Sequence, residues 1–191
     1  MGRACTAAIA PLRRIIHPRL VYSVSRRRHQ HTRQIDVPAT TTTRSTMPRV
    51  DYADAFVLST QKHPDWTAET WARAVLEGAP ADTRAELTAG WAALGLPATN
   101  SSASVLGWAI RHRTSERVLL GRVSRIGMPG ELLFERRADG LLFATFVYHR
   151  TPVTRAVWAA VRRTHVRTVL DLLDRTVDDG LADATLSAGN Q

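Results

Sequence analysis

Between residues 151 and 177 the apolar positions recur with a helical period. At 100° per residue Val153, Val157, Ala160, Val161, His165, Thr168, Val169 and Leu172 fall on one side, while Arg155, Arg162, Arg163, Arg167 and Asp174 take the other. Thr151 is placed to cap this helix and Pro152 to open it, since the first helical N–H has no partner to lose. Gly180, after Asp178 and Asp179, is the expected stop. At about 1.5 Å per residue the helix is on the order of 40 Å long, enough to cross a whole sheet.

Upstream the period changes. Tyr52 to Leu58 reads as a strand, followed by a helix starting at Asp65 or Thr67 and a second helix from Asp82 to about Gly95. The run from Val105 to His112 alternates Leu106, Trp108, Ile110 and His112 on one face, and Arg117 to Ser124 forms the next strand. Glu131 to Arg137 and Leu141 to His149 are two more, joined by an Asp139-Gly140 turn that pairs Ala138 with Leu141 and Phe134 with Thr145. One face of this hairpin carries Leu132, Phe134, Arg136, Phe143 and Val147, and is assigned to the long helix. The other carries Leu133, Glu135, Leu142, Ala144 and Phe146. The prediction is an α+β fold of five strands, two short helices after the first, and one long final helix.

Charge divides the chain. Residues 1–49 hold ten of the 26 basic residues and one of the 17 acidic ones, so the net charge of +9 lies entirely there. The remainder is neutral and lacks the basic footprint of a nucleic-acid surface. With few apolar residues and almost no acid, residues 1–48 are expected to be a disordered Arg-rich tail. Three readings stay open for it: a targeting segment, an arm for nucleic acid or membrane surfaces, or upstream sequence before a true start at Met47. Residues 49–179 then form the domain and 180–191 a flexible C-terminus. The single cysteine, Cys5, allows no disulfide within the chain. No apolar run approaches the roughly 20 residues of a membrane span, and a soluble cytoplasmic protein is expected. Lys62 is the only lysine, a usage typical of GC-rich bacterial genomes.

The order of elements resembles the helix-grip superfamily, also called START-like or SRPBCC and including polyketide cyclase-like proteins. In these a curved antiparallel sheet wraps a long C-terminal helix around a cavity. Asp51-Tyr-Ala-Asp-Ala-Phe56, Thr114-Ser-Glu-Arg-Val-Leu-Leu-Gly121 and Val161-Arg-Arg-Thr-His165 are similar to segments of an uncharacterised bacterial domain-of-unknown-function family within that fold. The resemblance covers about residues 49–177. It implies an apolar or aromatic small molecule held between sheet and helix or, in the manner of cyclases and aromatases, an enzyme.

No dinucleotide, phosphate-loop, zinc or nucleophile-elbow motif is present, and neither a metal nor a cofactor is expected. His165 is the candidate for chemistry, because it interrupts the dry stripe of the final helix. An imidazole there can bind a ligand, act as general acid or base, or serve as a hydrogen-bonded core residue. A catalytic role requires a polar partner such as Thr145 or Tyr148. Trp108, Phe134, Phe143 and Val147 are the candidate apolar lining. A third reading is a partner-binding domain whose core is filled by its own side chains.

Overall fold

The computed structural model describes residues 31–99 and 101–188, with side-chain surroundings as far as residue 178. Its architecture is α+β: a curved, unclosed antiparallel sheet lies against one long C-terminal helix. Among the described residues seven strands make the sheet: β1 (Thr32–Ile35), β2 (Tyr52–Ser59), β3 (Ser104–Val105), β4 (Trp108–Arg113), β5 (Arg117–Arg122), β6 (Gly130–Arg137) and β7 (Gly140–Val147). They are ordered β1-β2-β7-β6-β5-β4-β3. The helices are α1 (Ala39–Thr42), α2 (Ala68–Leu76), α3 (Ala81–Ala93) and α4 (Pro152–Ala188). Among the described residues no helix is long and apolar enough to cross a membrane.

Two strands beyond the expected five have identifiable causes. The run predicted as one strand from Val105 to His112 is a hairpin, with Val105 paired to Trp108. Leu106 (φ 44°) and Gly107 (φ 78°) form its two-residue turn, both in the left-handed region that such turns need. A leucine there hides the turn, because only glycine and a few polar residues normally signal it. The other addition, β1, lies in the segment expected to be a tail. It pairs antiparallel with β2, Thr32 opposite Leu58 and Ile35 opposite Ala55.

The inner face of the sheet meets α4 as assigned. Phe56, Leu58, Val118, Leu120, Leu132, Phe134, Leu141 and Phe143 share one core with Trp71 and Val75 of α2 and Val169, Leu172, Leu173 and Val177 of α4. The outer face is apolar as well, through Ala55, Leu119, Leu133, Leu142, Ala144 and Phe146, and it is covered by Ile35, Val37, Met47 and Val50. Residues 32–48 are therefore ordered parts of the domain, which corrects the expected tail over those positions; residues 1–30 lie outside the described residues. A buried carboxylate fastens this cover. Glu131 accepts hydrogen bonds from the Ser45 hydroxyl (2.6 Å), the Thr46 backbone N–H (3.1 Å) and the Thr46 hydroxyl.

The β6–β7 hairpin also differs in detail. Arg137 pairs with Gly140 and Phe134 with Phe143, so Ala138 and Asp139 form the turn. This is a shift of two residues from the expected pairing, which leaves every side chain on its assigned face. Gly140 instead serves the contact with β2: a Cβ there would lie 2.1 Å from the Leu58 carbonyl oxygen. At the start of α4, Thr151 caps as expected, its hydroxyl accepting from the Thr154 N–H at 3.3 Å. Gly180 does not stop the helix, which continues to Ala188.

Candidate functional site

Opposite the N-terminal half of α4, the inner face of the sheet turns polar. Asp54 of β2 and Thr145 of β7 are cross-strand partners, so both side chains rise toward the helix. His165 of α4 meets them: its Nε2 lies 3.1 Å from Asp54 Oδ2 and 3.2 Å from Thr145 Oγ1. Tyr52, two residues before Asp54 and so on the same face, donates its hydroxyl to the same Oδ2 at 2.8 Å. The Asp54 side chain is 1% exposed and that of His165 20%, so the carboxylate is sealed while the imidazole keeps an edge toward solvent.

A carboxylate oxygen accepts, so a neutral imidazole in this position carries its proton on Nε2, directed at Asp54. Nδ1 is left as an acceptor, and among the described residues it has no hydrogen-bond partner. Asp54 Oδ1 is buried without a partner as well. Burial first, and then the Asp54 charge and hydrogen bond, push the Tyr52 phenol above its ordinary value of 10, so it stays a donor; Arg162 opposes this weakly. Trp158 walls the group, 5.0 Å from the Tyr52 ring and 5.1 Å from the His165 ring between centroids. A buried carboxylate, an imidazole with a free nitrogen and a neutral phenol together can bind a donor group or take up a proton.

The residues singled out in the sequence fall in different places. His165 gains Thr145, one of the two partners considered, whereas Tyr148 sits elsewhere, its ring under Arg49 at 5.1 Å. Phe134 and Phe143 stack edge to face at 4.9 Å within the main core. Trp108 belongs to the same core but lies against Trp91 and Arg122. Val147 packs with Met128 and Trp158, next to Tyr52 and Val161, and so borders the polar group. None of these four is more than 4% exposed.

Asp54 and Tyr52 were not singled out from the sequence. The available signal was a charged residue inside the run Ala53–Leu58, in phase with Phe56 and Leu58. Their meeting with Thr145 depends on β2 joining β7, strands separated by 80 residues of chain, and local pattern does not show that pairing. Among the described residues no group of three or more His, Cys, Asp or Glu is placed to hold a metal ion. Comparison of the chain with protein-family models, with curated proteins and with solved structures finds no match.

Proposed function

We propose that this chain is a helix-grip protein that binds an apolar or aromatic small molecule at the edge between sheet and α4, with His165 as its polar anchor. The observation that carries the reading is the buried Asp54 carboxylate, which orients His165 and leaves its Nδ1 unpaired at an edge that solvent reaches. Trp158, Val147 and Val161 supply the apolar wall beside it. Phe134, Phe143 and Trp108 form the closed core behind.

Native mass spectrometry of the full chain purified from its host tests this reading. A stoichiometric small molecule, lost in His165→Ala, is the expected result. An empty wild-type protein that also fails to bind apolar probes would overturn it and favour a domain with a filled core. The same geometry supports a second reading, an enzyme of the cyclase or aromatase kind with Nδ1 as general base, because Asp54 holds the imidazole in the tautomer such a base requires. Turnover of the identified ligand that survives His165→Ala unchanged excludes that reading.

A further inference from the structure

Arg122, at the end of β5, is a buried cation without a counter-ion. It is 2% exposed, and among the described residues no carboxylate lies within ion-pair distance of it. Arg49, Arg73, Arg113 and Arg136, all more exposed, each have at least one. Of its five N–H donors two have acceptors, the carbonyls of Leu96 (3.0 Å, from Nη1) and Leu106 (2.6 Å, from Nη2). Nε is buried and unpartnered, and so is the indole Nε1 of Trp108. The guanidinium carbon lies over the Trp91 ring at 4.6 Å and over the Trp108 ring at 5.0 Å. Burial without a neutralising partner lowers the arginine pKa to about 10.

We propose that Arg122 and the Trp108 indole N–H beside it form a binding site for a small oxyanion, with a carboxylate as the ligand class. Two ring faces and two carbonyls stabilise a cation only in part, whereas isolating a charge from water is costly. Nε–H and one N–H of an adjacent Nη form the planar side-on fork that matches a carboxylate. A ligand in the guanidinium plane leaves both ring contacts in place. The cover over Arg122 is the segment between α3 and β4, which contributes the Leu96 and Leu106 carbonyls. Leu106 sits in the left-handed region at φ 44°, so this cover is held in a conformation unfavourable to leucine. Arg122, Gly130, Val147 and Tyr52 are successive cross-strand partners. Three strand steps of about 4.8 Å put Arg122 roughly 14 Å from the Tyr52 end of the sheet, so this site is independent of the one around His165.

Nitrogen-15 spectra of the full chain resolve its five tryptophan indole N–H groups, and Trp108→Phe identifies the relevant signal. Titration with sodium acetate is compared with titration by acetamide, its neutral counterpart. The expected result is a saturable shift of the Trp108 signal with acetate alone, lost in Arg122→Met and at least tenfold weaker in Arg122→Lys, which keeps the charge but not the fork. Should Arg122→Met fail to fold, acetate against acetamide on the wild type and on Arg122→Lys decides the matter. A linear response shared by all five indoles, an equal response to acetamide, or a saturable shift unchanged in Arg122→Lys or Arg122→Met overturns the proposal.

Discussion

Asp54 receives both the Tyr52 hydroxyl and His165 Nε2 on one oxygen, so removing a donor and removing the acceptor have different costs. Tyr52→Phe deletes one hydrogen bond to a buried charge and is expected to cost about 2 kcal/mol in a denaturant titration. Asp54→Ala leaves a buried phenol and an imidazole without their acceptor, and the expected loss is larger, about 3 kcal/mol or more. The raised pKa of Tyr52 has a defined sign. A group whose folded pKa exceeds its unfolded value of 10 adds stability that is complete below pH 10 and is lost as pH climbs through the folded value. Alkaline titration of phenolate absorbance is therefore expected to show a late step above pH 10, and this step disappears in Tyr52→Phe. A late step that persists would contradict the assignment. At this scale half of the site was legible in the sequence. His165 stands out because it breaks an apolar helical stripe, a purely local signal. Asp54 breaks an apolar strand in the same way, yet its meaning depends on a partner strand far along the chain.

The least legible element was the segment from β1 to β2. Its Arg, Ser and Thr content resembles that of an unfolded tail, and its few apolar residues, Ile35, Val37, Met47 and Val50, follow no single period. What they match lies elsewhere: the outer face of β5, β6 and β7 is apolar in Leu119, Leu133, Leu142, Ala144 and Phe146, and such a face needs a second layer. The pattern of the strands thus contained the requirement for a cover but not its identity. Removing residues 1–46 deletes β1 and Ile35, strips the Ser45 and Thr46 donors from buried Glu131, and exposes that apolar face. The shortened chain is expected to bind a hydrophobic dye and to lose most of its cooperative unfolding transition. A shortened chain with the melting temperature of the full one would show that the cover adds nothing. Glu131→Gln keeps the cover but weakens its charged hydrogen bonds, and is expected to cost about 1–3 kcal/mol.

Sheet, cover and final helix come together at one corner, whose titratable groups contribute to the response to acid. Asp51, just before β2, accepts the His149 backbone N–H at 2.8 Å and pairs with Arg49 at 2.8 Å; Arg49 in turn reaches the His149 carbonyl. His149 is 5% exposed and its Nδ1 has no partner. Burial lowers its pKa, with Arg155 and Arg49 acting in the same direction and the Asp51 charge against it. Because the folded pKa lies below the unfolded value of 6.5, the unfolded chain binds the extra proton first. Stability is complete above pH 6.5 and falls as pH drops through the folded value, by at most about 1.4 kcal/mol per pH unit for this one group. The Asp51 carboxyl is held below its usual range, chiefly by the His149 N–H, so its own contribution persists above pH 3.8 and is lost only as pH falls further. The two effects occupy separate windows. Denaturant midpoints of the wild type are expected to decline between pH 7 and pH 5, whereas His149→Gln, which has no charge to gain, holds a flatter profile over the same interval. Parallel profiles for the two proteins would place the acid sensitivity at another group and leave this corner a neutral junction.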